Sequence, residues 1–349
     1  MVDLELVKDA LQKVRDPELQ KGLMELGMIR NRAIEDGRVS LSLTLTTCRC
    51  PHKEELLRSI TMKLKSLQGV TDVEVRPTTM SKEEAMQLFS RHPLAGLNRV
   101  RHVLAVASGK GGVGKTTVAV NTALALANEG YQVGLLDADV YGPSVPVMLA
   151  LQGSPESENS LLLPVEKYRL RTMSLGMMVK GEEAFIWRGP MVGKAIRQLL
   201  DQVLWGELDY LVVDLPPGTG DPSITVAQSI VPKASVLMVT TPQEVALADV
   251  RRAVELFRKF EMQIVGLIEN MSYFTCDHSS EPIEIFGHGG GVKLSQELNL
   301  PLIGTIPIEL QIRESGDIGK PLMISASGSE AGHIFKSISR QILEDFGDI

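Results

Sequence analysis

The stretch ASGKGGVGKTT at 107–117 sets glycines, lysines and hydroxyls at a spacing suited to holding a polyphosphate. Gly109, Gly114, Lys115 and Thr116 satisfy the pattern G-x-x-x-x-G-K-S/T. Glycines there let successive backbone N–H groups close around a β-phosphate, and a helix opening at Lys115 adds a favourable dipole. Lys115 is expected to neutralise the β- and γ-phosphates and Thr116 to hold Mg²⁺. The whole run Gly109, Lys110, Gly111, Gly112, Val113, Gly114, Lys115, Thr116 and Thr117 is read as nucleotide-binding. Lys110 is an extra cation that such a loop does not require. Its side chain cannot easily fold onto its own phosphates, so it is expected to reach a nucleotide in a facing subunit of a homodimer.

Carboxylates follow at the ends of apolar runs. Asp214 closes YLVVD and precedes LPPGTGD, so it is expected beside the phosphate loop, orienting Mg²⁺. Asp221 is read as the cap of the next helix. In DADVYGPS, Asp139 is the candidate for positioning an attacking water, and Asp137 for a metal or loop-orienting group. The guanine-reading motif N-K-x-D is absent. Asn270, ending IVGLIEN, is expected to pair with an adenine edge and Pro307 to pack on the base, which favours ATP.

Positioning these groups calls for alternating strands and helices. From His102 onward, apolar strands at HVLAVA, YQVGLLD, 209–214, 234–240, 263–269 and 302–307 alternate with helices. That pattern predicts an α/β fold of the P-loop NTPase kind, a mostly parallel sheet covered by helices on both faces. Residues 1–78 read α-β-β-α-β, a small α+β domain with its own core, and 79–101 read as a linker before a domain at 102–349. Residues 153–160 are expected to form an exposed loop. GHGGG at 287–291 lacks the Lys and Ser/Thr of a phosphate loop. It reads as a flexible turn before a helix starting near Val292, with His288 exposed or structural. The last helix, 330–346, is expected to pack Ile334, Ile338 and Ile342 on the domain rather than on a membrane.

Composition narrows the classes. Of 349 residues, 44% are hydrophobic and the net charge is −7, so disorder is excluded and sequence-independent DNA binding disfavoured. No apolar run approaches the ~18 residues of a membrane span. The start lacks a basic and apolar leader pattern, so the expected compartment is the cytoplasm. The cysteines, Cys48, Cys50 and Cys276, are too few for a disulfide framework. Metal or redox chemistry and idle buried thiols both remain open for them.

GKGGVGKT, DADVYGPS, WRGPM (187–191), DYLVVDLPPGTGD, IENMSYF and IFGHGGG occur in this order. Residues 101–349 thereby closely resemble the Mrp/ApbC family, within the MinD/ParA-like class that carries the extra loop lysine. Residues 1–78, with DPEL, LGMI and TTCRCP, look like the small iron–sulfur assembly domain often fused ahead of it. The resemblance implies an ATP-hydrolysing homodimer that holds an iron–sulfur cluster and passes it to apoproteins. It also matches Cys50, before Pro51, to the small domain's characteristic cysteine. One position departs. Where the family carries C-x-x-C, this chain reads Cys276-Asp277-His278-Ser279, so two chains offer only two thiolates. A bridging [4Fe–4S] cluster is then weakened or lost, or completed by His278 or Asp277. That departure keeps a rival reading in view, a ParA- or MinD-like nucleotide-switched scaffold without a cluster.

Overall fold

The computed structural model describes the chain apart from residues 1–3, 17–20, 46–52, 82–83, 85–96, 98, 140–141, 159–160, 179–194, 197, 231–232, 277–278 and 347–349. It divides into two compact units, Met1–Pro93 and Leu94–Ile349. In the first, α1 (Leu4–Gln12) precedes β1 (Ile29–Glu35), β2 (Arg38–Leu45), α2 (Lys53–Lys65) and β3 (Asp72–Thr79). Strands β1 and β2 pair antiparallel, with Glu35 opposite Arg38. The two residues between, Asp36 and Gly37, both take positive φ, the geometry a tight hairpin needs. Helix α2 carries the chain back so that β3 pairs parallel with β2. Val7 and Leu11 of α1, Leu41 and Leu43 of β2, and Leu56, Ile60 and Leu64 of α2 form the core.

The second unit is built on one large sheet. Its strands are β4 (Val100–Ser108), β5 (Val133–Asp137), β8 (Val165–Lys167), β9 (Leu170–Ser174), β10 (Leu208–Asp214), β11 (Ala234–Thr240), β12 (Gln263–Cys276), β13 (Ser279–Ile283) and β14 (Leu302–Ile308). Their order is β13-β12-β11-β4-β10-β5-β9-β8, with β14 also on β12. Strands β9, β5, β10, β4, β11, β12 and β14 run parallel, and β8 and β13 are antiparallel additions. Between β5 and β8, β6 (Ser157–Glu158) and β7 (Leu161–Leu162) make a minimal hairpin. The segment expected as plain loop thus contributes one short strand, and its residues 157 and 158 are exposed as expected.

The helices of this unit are α3 (Lys115–Asn128), α4 (Val145–Met148), α5 (Asp221–Ile230), α6 (Glu244–Lys259), α7 (Gly290–Leu298), α8 (Leu310–Asp317), α9 (Leu322–Ser325) and α10 (Glu330–Phe346). Period-2 alternation in β4 sends Leu104 and Val106 to one face, where they meet Leu124 of α3 with Phe335 and Ile338 of α10. Val103 and Ala105 go to the other face and meet Val250, Ala253 and Phe257 of α6. Each buried Val, Leu or Phe stabilises by about 1.5–3 kcal/mol, so a strand apolar on both sides commits the central sheet to two helical layers. Ile338 and Ile342 of α10 are buried and Ile334 is half-buried, so the last helix packs on the sheet. Among the described residues no helix is long and apolar enough to cross a membrane.

Strand β4 lies between β10 and β11: the chain passes from β4 to β5 on one side of it and crosses from β10 to β11 on the other. Crevices at such points, outside the carboxyl ends of the strands, are where α/β folds hold ligands.

Candidate functional site

The loop after β4 lies over that crevice. Gly109 packs so closely on α6 that a Cβ there would sit 2.4 Å from the backbone of Asp249 and Val250. Gly112 and Gly114 take φ +82°, which turns the chain back toward the start of α3. Lys110, Gly111, Gly112, Gly114, Lys115, Thr116 and Thr117 line a pocket of about 940 Å³, whose other walls include Asp139, Pro217, Asn270, Met271, Phe286 and Pro307. The residues expected to act together, from five separate strand ends, are brought to one place. Gly109 is not in the lining; it seats the loop on α6.

Asp214, at the end of β10, is completely buried. Lys115 Nζ lies 2.5 Å from its Oδ1, and Thr116 Oγ1 donates to its Oδ2 at 2.7 Å. Burial pushes the Asp214 carboxyl up from its ordinary range, while the Lys115 ammonium opposes the shift. Asp139 lies beside the same cation, its Oδ2 3.8 Å from Lys115 Nζ, and its Oδ1 accepts from the Gly142 N–H at 3.3 Å. Lys110 has no ion-pair partner among the described residues and lines the pocket, and its own carbonyl accepts from Ser108 Oγ.

Asp137 lies behind the pocket rather than in its lining. It is fully buried, and its carboxylate is taken up by the protein: Oδ2 accepts from Ser174 Oγ at 2.9 Å and from Val145 N at 3.3 Å, Oδ1 from Asp139 N at 3.1 Å. Burial and then the neighbouring Asp214 push its carboxyl up to about 7. Its hydrogen bonds run to Ser174 and to the segment that follows β5.

Asn270 reaches the phosphate loop. Its Nδ2 donates to the Val113 carbonyl at 2.8 Å, so one end of the carboxamide is already used. Met271 next to it takes φ +55°, an unusual conformation for a long side chain, and both line the pocket. Glu269, the preceding residue, is also buried. It accepts from Ser272 Oγ at 2.6 Å and from the Gly291 N–H, which pins the start of α7 to β12. Helix α7 therefore begins at Gly290, two residues before the expected position, because this acid satisfies its N-terminal amide. His288 is exposed and pairs with Glu284. Ser174, Glu269, Met271 and Phe286 were not singled out by the sequence. An acid inside the apolar run IVGLIEN is the one signal that pointed toward Glu269.

Strand β12 runs on past Asn270 to Cys276, well beyond the 269 expected from hydrophobicity. Cys276 is a half-buried free thiol, and in the β12–β13 pairing it stands opposite Ser279. Cys48, Cys50, Asp277, His278 and the WRGPM segment lie outside the described residues. Among the described residues no cluster of His, Cys, Asp or Glu is arranged to hold a metal ion.

A phosphate loop between a strand and a helix, with Lys115, Thr116 and a strand-end aspartate in mutual contact, defines a P-loop NTPase of the MinD/ParA-like fold. A MinD cell-division ATPase from Pyrococcus furiosus shares that fold, with a TM-score of 0.53 at 21% identity over 70% of this chain and 99% of that one. A nucleotide-binding protein from Archaeoglobus fulgidus, solved with ADP, matches at a TM-score of 0.58 and 36% identity, over 64% of this chain and 89% of that chain. The profile of the NUBPL iron-transfer P-loop NTPases matches residues 99–343, and that of an iron-sulfur cluster assembly protein matches residues 4–76. An iron-sulfur cluster carrier protein of Synechocystis is 45% identical over 98% of this chain and 97% of its own. An iron-sulfur cluster transfer protein NUBPL of Dictyostelium discoideum is 46% identical over 70% of this chain and 76% of its own. The chain belongs to the NUBPL iron-transfer P-loop NTPase family.

Proposed function

We propose that the protein is an ATP-hydrolysing iron–sulfur cluster carrier, acting as a homodimer in the cytoplasm and delivering its cargo to apoproteins. The observation that carries the nucleotide half is the buried contact of Lys115 and Thr116 with Asp214 beneath a glycine loop. In this arrangement Asp214 occupies the ammonium that a triphosphate needs. ATP binding exchanges one anionic partner of Lys115 for another, which keeps the buried lysine neutralised at each stage. Thr116 Oγ1 and Asp214 are adjacent hard oxygen donors, a set that fits Mg²⁺, and they would hold it. Bound there, Mg²⁺ supplies neutralisation of charge on the β- and γ-phosphates. Asp139, next to Lys115, orients the attacking water, and Lys110 reaches the nucleotide of the partner subunit. Asn270 and Pro307 receive the adenine.

The cargo half is supported by the names of the relatives and by Cys276 at the end of β12. With Ser279 at the second position of the family's C-x-x-C, a homodimer contributes two thiolates from this hairpin, and Cys50 is the further candidate ligand. Two measurements test the reading. Calorimetric titration is expected to show ATP binding by the wild-type protein and none by Lys115→Ala of unchanged circular dichroism. Anaerobic reconstitution with iron and sulfide is expected to give a visible charge-transfer band that Cys276→Ala loses. If Lys115→Ala binds ATP normally, the nucleotide assignment is wrong. Wild-type protein that retains no iron would leave a nucleotide-switched scaffold instead.

A further inference from the structure

Strands β5 and β9 are parallel neighbours, and their register sets Asp137 directly opposite Ser174. Both residues end their strands, so they meet at the same carboxyl edge of the sheet that holds the phosphate loop. Paired residues in a parallel ladder project to the same face, which puts a hydroxyl against a carboxylate. Ser174 is fully buried. Its Oγ accepts from the Gly176 N–H at 3.1 Å, so its single proton is free to be donated, and it goes to Asp137 Oδ2 at 2.9 Å. Among the described residues, Ser174 is the one side chain that donates to Asp137. The carboxylate's remaining partners are backbone: the Asp139 N–H on Oδ1 and the Val145 N–H on Oδ2.

The connection between β5 and α4 is therefore held near both ends by one carboxylate, and that carboxylate is held by one hydroxyl. Asp139 lies in this connection, its own carboxylate beside Lys115. A carboxylate with two backbone donors and no side-chain donor can swing about its last bond. With Ser174 in place the orientation is fixed, and Asp139 is fixed with it. Ser174 is not among the residues that line the pocket, and its described hydrogen bonds run to Asp137 and Gly176.

We propose that Ser174 is a positioning residue for ATP hydrolysis, acting through Asp137 to hold Asp139 over the reacting phosphate. This rests on the ATPase reading given above. It separates turnover from binding: the phosphate loop retains its own contacts without Ser174, while the water-orienting acid loses its anchor.

The test compares full-length wild-type protein with Ser174→Ala and Ser174→Thr. ATP binding is followed with a fluorescent ATP analogue and turnover by phosphate release. Amide exchange at Asp139, Val145 and the phosphate loop is measured without nucleotide. Ser174→Ala is expected to bind ATP within twofold of wild type, with KM unchanged and kcat at least tenfold lower. Its Asp139 and Val145 amides should exchange at least tenfold faster, with those of Gly112 to Thr116 unaltered. Ser174→Thr, which keeps the hydroxyl, should recover most of kcat. If Ser174→Ala retains kcat within twofold while the wild type turns over ATP, the inference is overturned and the ATPase reading stands. Parallel loss of ATP binding and of phosphate-loop protection in Ser174→Ala would also overturn it, since Ser174 would then serve the fold at large. A wild-type protein without turnover would remove both together.

Discussion

Gly114 is where the phosphate loop and β12 meet most closely, and Gly114→Ala measures how tightly they are joined. Gly114 has φ +82°, and a Cβ there would sit 2.1 Å from Asn270 Nδ2. Placing an L side chain in the left-handed region costs about 1–2 kcal/mol. The clash can be relieved only by moving the Asn270 amide, which then abandons the Val113 carbonyl it bonds at 2.8 Å. Leaving that buried acceptor unpaired costs about 1–3 kcal/mol more. The expected loss is therefore about 2–5 kcal/mol, a large share of a typical domain's stability. Trp205 is buried in the core of the second unit, so urea unfolding followed by tryptophan fluorescence reports on this unit. A double-mutant cycle isolates the contact. Asn270→Ala should cost about 1–3 kcal/mol alone but almost nothing in the Gly114→Ala background, because the same hydrogen bond is lost in both. Strictly additive costs would show that the loop admits a methyl group without moving Asn270, and the reasoning would fail.

Asp137 supplies a pH test. Its folded-state pKa of about 7 lies above the ordinary carboxyl value, so the folded protein holds a proton that the unfolded chain releases near pH 4. The associated stability is fully present below about pH 4 and is lost as pH rises through 7, by no more than ~4 kcal/mol in total. Without nucleotide, Tm should therefore fall between pH 5 and 8, and Asp137→Asn should flatten that slope; an unchanged slope would assign the titration elsewhere. Glu269→Ala leaves the Gly291 amide and the Ser272 hydroxyl without their acceptor, so the urea midpoint should drop by the equivalent of about 2–3 kcal/mol. A loss under about 0.5 kcal/mol would mean that water replaces the carboxylate there. Reconstituted Cys276→Ala should fail to pass iron and sulfide to an apo-ferredoxin while binding ATP like the wild type, a separation that calorimetry and the acceptor's absorbance together would reveal.

Much of the site was legible because its chemistry is local. The phosphate loop is a contiguous string whose glycines, lysine and threonine act at fixed spacing, and apolar runs ending in Asp137, Asp214 and Asn270 mark strand ends that must share an edge. The α-β-β-α-β order of the first unit followed from periodicity and from the Asp36–Gly37 turn. What the sequence withheld depends on neighbours distant in the chain. Nothing in MSLG marks Ser174 as facing Asp137, because that pairing arises only once β9 lies beside β5. Glu269 reads as the polar end of a strand until the helix it caps is in place 22 residues later. The length of β12 was also hidden. Polar residues such as Ser272 interrupt its apolar pattern, while pairing to β13 and β14 carries it onward.

That strand is irregular along its second half: Met271 takes φ +55°, and its pairing shifts register between Asn270 and Phe274 and again between Phe274 and Cys276. The six residue steps from Asn270 to Cys276 therefore reach less far than the ~20 Å of a regular strand at roughly 3.3 Å per residue. One strand thus joins the Asn270 contact with the phosphate loop to the thiol of Cys276. An irregular strand of this kind can take up the loss of one residue at a bulge, so the side on which the sulfur stands is not set by a simple count.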